Sequence, residues 1–276
     1  MTPPAVSRVH CVVPVHNRLA ITRRFVELFL AQDYPSLEVT IVDDGSDDGT
    51  AEYLASLGDA RVRTLRGDGS LWWGGAMTLG MRDVFARAAE DDYLLMLNDD
   101  VEIDPGYVSV LVRVSRANGG AVVGSSQRFS GVNEPFAAAY RIDWARLRFV
   151  SVDPLAPGAD IDALPARGLL FPLRLARAAG VVHRLLPHHL GDLEYTARVK
   201  ERGGRLLVSS EAQTVTDDLP QAERARRRSR LWRTFGRRSP DNVWHRLVFF
   251  HSRGPWLHRL TVLPRLLLLP LLRRTP

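Results

Sequence analysis

The feature that most constrains this chain is the alternation, through its first half, of short apolar runs with stretches of helical spacing. Residues 9–15, 37–42, 62–65 and 93–97 are short and largely apolar, the pattern of buried strands. Between them, residues 19–32 place Leu19, Phe25, Val26, Phe29 and Leu30 at helical spacing before Tyr34-Pro35 ends the run. Asp48-Gly49-Thr50 opens a second helix over 51–57, residues 76–89 read as a third, and Pro105 precedes a fourth over 107–116. Val122-Val123 is a further short strand. Such alternation predicts an α/β fold with a mostly parallel central sheet and helices on both faces. Ligands of such sheets bind beyond the carboxyl ends of the strands. Three strand ends here carry polar residues: His16-Asn17, Asp43-Asp44 and Asn98-Asp99-Asp100. They are expected on one edge, as parts of one site.

The second half is less periodic. Residues 125–166, with scattered Pro and Gly, are expected to form hairpins and loops. Residues 167–172 are a short apolar stretch, and 173–179 look helical with Gly180 as the stop. Residues 188–202 read as a loop entering a helix closed by Gly203-Gly204, and 205–208 as a strand. With 276 residues, the simplest partition is one domain, 1–217, and a C-terminal extension, 218–276.

Composition sharpens that boundary. The net charge is +6, and Lys200 is the only lysine, so the positive charge is almost entirely arginine. Eight arginines fall between Gln221 and Pro240. Cys11 is the single cysteine, so no intrachain disulfide can form, which fits a reducing compartment. Residues 1–8 lack the pattern of a signal peptide, and no uninterrupted apolar run is long enough to predict a transmembrane helix.

Asp99 and Asp100 at a strand end offer the oxygen ligands that magnesium and manganese prefer, and read either as a metal site or as a solvated acidic turn. Asp44 is either a turn residue or an acceptor for a base N–H or a ribose hydroxyl. His16 could stack on a ring, and Asn17 could fix a loop. Adjacent His188 and His189, without spaced partners, do not make a zinc site.

Together, Pro14-Val15-His16-Asn17-Arg18, Gln32-Asp33-Tyr34-Pro35, the run from Val42-Asp43-Asp44-Gly45-Ser46 to Gly49-Thr50, and Leu97-Asn98-Asp99-Asp100 closely resemble the family 2 glycosyltransferases of the GT-A fold. The resemblance extends over residues 9–217. It implies an inverting, metal-dependent hexosyltransferase using Mn2+ or Mg2+ and a UDP- or dTDP-sugar. Asp44 matches the residue at the donor base, and Pro14, His16 and Asn17 match the loop around the nucleoside, with His16 standing where many relatives have tyrosine. Asn98 and Asp99 match the positions beside ribose and diphosphate, and Asp100 the metal ligand. The segment Gly69-Ser70-Leu71-Trp72-Trp73-Gly74-Gly75 resembles the family's glycine-rich donor-side loop, with Trp73, Gly74 and Gly75 at the sugar or alternatively with the tryptophans as a core plug. In Gly191-Asp192-Leu193-Glu194, Asp192 matches the catalytic base and Glu194 is the second candidate. Relatives often carry a metal-binding histidine where this chain has Asp217, which would be the third ligand.

The arginine run from Arg224 to Arg238, interleaved with Leu231, Trp232 and Phe235, and the apolar stretch 243–272 suggest a basic, helical extension. It would either lie peripherally on the cytoplasmic face of the membrane, near a glycan or polyprenyl-linked acceptor, or pack on the domain or a second copy. Nucleic-acid binding is disfavoured because the basic charge is confined to the tail. A sugar-phosphate nucleotidyltransferase is disfavoured because the loop 14–18 lacks that class's glycine-rich pattern, and a silent scaffold because Asp44, Asp99, Asp100 and Asp192 are all present. Bacterial rhamnosyl- or hexosyltransferases of cell-surface polysaccharide assembly are the similar enzymes.

Overall fold

The computed structural model describes residues 6–131, 138–156, 158–216, 236, 239, 242–256, 261 and 262. Strand β1 (Val9–Val15) leads into α1 (Leu19–Leu30), β2 (Leu37–Asp43), α2 (Thr50–Ser56), β3 (Val62–Arg66), α3 (Trp72–Arg87) and β4 (Tyr93–Met96). The short β5 (Glu102–Ile103), α4 (Tyr107–Ala117) and β6 (Val122–Phe129) follow. A hairpin of β7 (Tyr140–Asp143) and β8 (Arg148–Ser151) precedes β9 (Leu169–Pro172), α5 (Leu173–Ala179), α6 (Gly191–Glu201), β10 (Leu206–Thr216) and α7 (Val243–Arg253).

Eight strands form one sheet in the order β3-β2-β1-β4-β9-β6-β10-β5. The first four are mutually parallel, as are β6 and β10. Strand β9 runs antiparallel between β4 and β6, and β5 antiparallel on the β10 edge. Strand alternation sorts the core into two layers. Val9, Cys11, Val13 and Val15 of β1 join Phe25, Val26 and Phe29 of α1 and Leu111 of α4 on one face. Val12 of the same strand joins Met77, Met81 and Val84 of α3, together with Leu173 and Tyr195, on the other. Helix α3 approaches the sheet closely because of Gly80, where a methyl would overlap Val12 Cγ1 and stand 3.1 Å from Val42 Cγ2.

Three elements are longer than their apolar patterns, one of them β6, which runs past Val122-Val123 to Phe129, into residues expected as loop, on its ladder to β10. Helix α3 begins at Trp72, four residues before the expected 76, so Trp72-Trp73-Gly74-Gly75 is its first turn and not a loop. Strand β10 continues to Thr216 through the polar 209–216, its ladder with β6 interrupted by a bulge between Ser209 and Gln213. The paired backbone of β6, not an apolar face, carries it that far.

Helix α7 lies in the segment assigned to the C-terminal extension. Its Phe249 and Phe250 are buried with Leu147 of the β7–β8 loop and with Leu193 and Ala197 of α6. Of the two roles considered for the extension, α7 takes packing, so residues 243–253 share a core with the body and do not stand apart from it. The arginines at 224–238 lie outside the described residues. No helix among the described residues is long and apolar enough to cross a membrane.

Candidate active site

The register sets the site. Val15 pairs with Asp43 and Val12 with Met96, so the chain leaves β1, β2 and β4 on the same edge. A cavity of about 430 Å³ opens there, lined by Pro14, His16, Arg18, Asp44, Gly69, Trp72, Trp73, Asn98, Asp99, Asp100 and His188 among others. All three polar strand ends therefore meet, as expected.

Asp44 is buried, and its carboxylate gathers three backbone N–H groups. Oδ1 accepts from Gly69 (2.9 Å) and Leu71 (3.3 Å), and Oδ2 from Trp72 (2.9 Å). A carboxylate distant in sequence thus caps the start of α3, which explains the helix's early start. It also holds Trp72 at φ 58, an uncommon conformation for a bulky side chain. Asp44 reaches the cavity, but both of its oxygens are committed to shaping the wall. His16 Nδ1 donates to the Asp44 carbonyl at 2.7 Å, which fixes the ring's orientation at the cavity. Asn17 is a loop clamp and not a cavity residue: at φ 49 it donates from N to Ser46 Oγ (2.9 Å) and accepts from Asp47 N at Oδ1 (2.8 Å).

The acidic strand end is divided in function. Asn98 Oδ1 accepts from Trp73 Nε1 at 3.0 Å, fixing the indole against the cavity. Asp99 is buried, with Oδ1 taking Arg18 (3.0 Å) and Oδ2 taking Thr22 (3.0 Å), so it is tied to the first turn of α1. Burial pushes the Asp99 carboxyl up to about 6, with Arg18 pulling against it. Asp100 is 33% exposed at the side chain and faces the cavity, with Arg18 3.6 Å from Oδ2. Gly74 and Gly75 serve packing rather than ligand approach. Gly74 N donates to Pro187 O at 2.7 Å, and a methyl there would press on Leu186 and Pro187, while one on Gly75 would meet Leu71.

The start of α6 borders the same cavity. His188 packs edge-on against Trp72, with ring centroids 5.3 Å apart, and a methyl on Gly191 would stand 3.7 Å from Trp73. Asp192 follows, half-buried, accepting from Ala166 N at Oδ2 (3.0 Å) and Leu193 N at Oδ1 (2.8 Å). Glu194 is fully buried on another face of α6. Its Oε2 accepts from Arg198 at 2.9 Å, and Arg253 of α7 stands 3.3 Å from Oε1. Enclosed between two arginines, it cannot meet an acceptor, so Glu194 is withdrawn as a base. Asp217 lies outside the described residues. Among the described residues, no group of three or more His, Cys, Asp or Glu is placed to hold a metal by itself.

Residues 10–165 match the sequence profile of Glycosyl transferase family 2. The chain belongs to that family. The succinoglycan biosynthesis protein ExoO of Rhizobium meliloti (strain 1021) is 30% identical over 125 residues, covering 44% of this chain and 34% of the relative, so the match spans about a third of that relative's length. Mannosyltransferase PcManGT from Pyrobaculum calidifontis, in complex with GDP-Man and Mn2+, superposes with a TM-score of 0.59 at 18% identity, over 99% of this chain and 78% of that one. S. aureus TarS in complex with UDP gives 0.61 at 13% identity, over 94% and 69%. These likenesses establish the GT-A fold of this family 2 glycosyltransferase, and family membership sets aside the nucleotidyltransferase alternative.

Two contributors to the glycosyltransferase's site were not singled out from sequence. Arg18 and Thr22 both reach Asp99, and their i, i+4 spacing at the start of a helix put them on one face. That spacing was visible, but their partner, 77 residues from Thr22, was not.

Proposed function

We propose that this family 2 glycosyltransferase transfers a hexose or deoxyhexose, with inversion, from a UDP- or dTDP-sugar to a hydroxyl of a glycan or polyprenyl-linked acceptor. The observation that carries the reading is the single cavity in which Asp100 stands beside the Trp73–Asn98 pair and the His16–Asp44 wall. The donor nucleoside lies along Pro14 and His16, and the sugar lies against Trp73. Asp192, one residue beyond the Gly191 that abuts Trp73, takes the proton of the acceptor hydroxyl. The acceptor oxygen bonds to the anomeric carbon as the bond to the diphosphate oxygen breaks on the opposite face, giving inversion.

The residues fit a divalent cation held jointly with substrate. Such ions are often bound by one or two carboxylates plus substrate phosphates, and Asp100 offers an accessible carboxylate with Asp99 adjacent. Mn2+ or Mg2+ bound there would supply counter-charge to the leaving diphosphate. The Mn2+ in the PcManGT complex and the UDP in the TarS complex support this donor chemistry. ExoO's part in succinoglycan biosynthesis supports a polysaccharide product; its assembly for the cell surface, at the cytoplasmic face of the membrane, is part of the same proposal. Asp217 as a further ligand and the arginines at 224–238 as the membrane contact belong to the same proposal.

The test is calorimetric titration of UDP and dTDP with and without Mn2+, followed by turnover on a nucleotide-sugar panel. Metal-dependent binding together with sugar release is expected. Absence of both refutes the reading and favours a silent scaffold.

A further inference from the structure

Arg18 is the one cation that contacts both carboxylates of the acidic strand end: it stands 3.0 Å from Asp99 Oδ1 and 3.6 Å from Asp100 Oδ2 among the described residues. Its side chain is 40% exposed and lines the cavity. Asp99 keeps a second partner in Thr22 if Arg18 leaves, so the guanidinium can depart without stranding that buried carboxylate. Asp100 has no other side-chain partner among the described residues.

We propose that Arg18 makes cation binding depend on the donor: it occupies the acidic pair while the cavity is empty, and transfers to the donor's diphosphate when nucleotide and cation enter together. This rests on the proposed diphosphate donor. The charges argue for it. Asp99, Asp100 and Arg18 sum to a single negative charge, so a divalent ion entering alone at Asp100 would sit within a few ångströms of an undisplaced guanidinium, a separation at which like charges repel. A diphosphate reverses that balance, because its oxygens accept from Arg18 in a fork geometry and release Asp100 to the cation. Arg18 is then a binding residue for the diphosphate, and before that a guard on the acidic pair.

The experiment measures Mn2+ binding by the loss of its free-ion electron paramagnetic resonance signal, on the full chain, with no nucleotide and then with UDP, GDP or dTDP. The wild type, Arg18→Gln and Arg18→Lys are compared, and thermal melting confirms that each is folded. Arg18→Gln should bind Mn2+ alone at least about tenfold more tightly than the wild type, because the competing charge is gone. In the presence of Mn2+, it should bind the nucleoside diphosphate about tenfold more weakly. Arg18→Lys, which keeps the charge, should hold nucleotide-free Mn2+ affinity near the wild-type value. A purely structural role would weaken both affinities together or change neither, and either result overturns the inference. If the wild type binds none of the three nucleotides, the donor reading fails. The nucleotide-free comparison still tests Arg18's occupation of the acidic pair, and an unchanged Mn2+ affinity in Arg18→Gln overturns that too.

Discussion

Replacing Glu194 by Gln separates the two carboxylates that sequence reasoning left as rival bases. Glu194 is fully buried between Arg198 of α6 and Arg253 of α7. Neutralising it leaves two poorly exposed guanidinium groups facing an amide. Breaking a buried pair from one side costs about 3–5 kcal/mol. Here the low end applies, because Arg198 still donates to Ala179 O and Val181 O, and Arg253 still reaches Glu201 at 2.7 Å. A loss of about 3 kcal/mol corresponds to a melting temperature lower by about 6–12 °C for a chain of this size. Far-UV circular dichroism reads the melt, and turnover per folded molecule is measured at 20 °C, well below the transition. Turnover should be unchanged. Asp192→Asn should behave in the opposite way: its amide oxygen can still accept from Ala166 N and only the bond from Leu193 N is lost, so the melt falls by less than that of Glu194→Gln while kcat falls by about 10²–10⁴. A Glu194→Gln protein that melts like the wild type but loses turnover would refute the assignment, as would an Asp192→Asn protein that keeps it.

Gly80→Ala places a methyl against Val12 Cγ1 and should cost about 1–3 kcal/mol in urea unfolding, with Val12→Ala partly restoring stability in the double variant. Trp73→Phe keeps a ring but removes the donor to Asn98 Oδ1, and donor affinity measured by titration should fall about fivefold. Asp99, at about 6 in the fold against an ordinary 3.8, binds more protons folded than unfolded between those values. In metal-free protein its contribution to stability is therefore full below about pH 4 and lost as pH rises through about 6, a change of up to about 3 kcal/mol. Subtracting the profile of Asp99→Asn from that of the wild type should isolate this decline, and a flat difference would contradict it.

Strands β1 and β2 and helix α5 fall within a residue of where the pattern of their side chains places them. In each, an apolar run is stopped locally: by Asn17 at φ 49, by the turn through Gly45 at φ 70, or by Gly180 at φ 81. The meeting of His16, Asp44 and Asp100 was legible for a related reason, since parallel strands bring their carboxyl ends to one edge whatever their loops contain. The start of α3 was not legible, because the group that caps it, Asp44, is 28 residues from Trp72. The polar half of β10 was equally hidden, being held by its ladder to β6.

The residue types at the candidate cavity, and the edge of the sheet they occupy, were determined by the sequence, because strand alternation and local turn residues act over a few positions. Which member of each acidic pair is closed in by packing was decided by the tertiary structure. Asp192 and Glu194 are two residues apart on a helix of 3.6 residues per turn, so they point to different faces, and only the packing of α7 shows which face is closed by Arg253. Asp99 and Asp100 are neighbours in sequence and both border the cavity, yet Thr22 and Arg18 of the α1 start bury one under two hydrogen bonds and leave the other a third exposed.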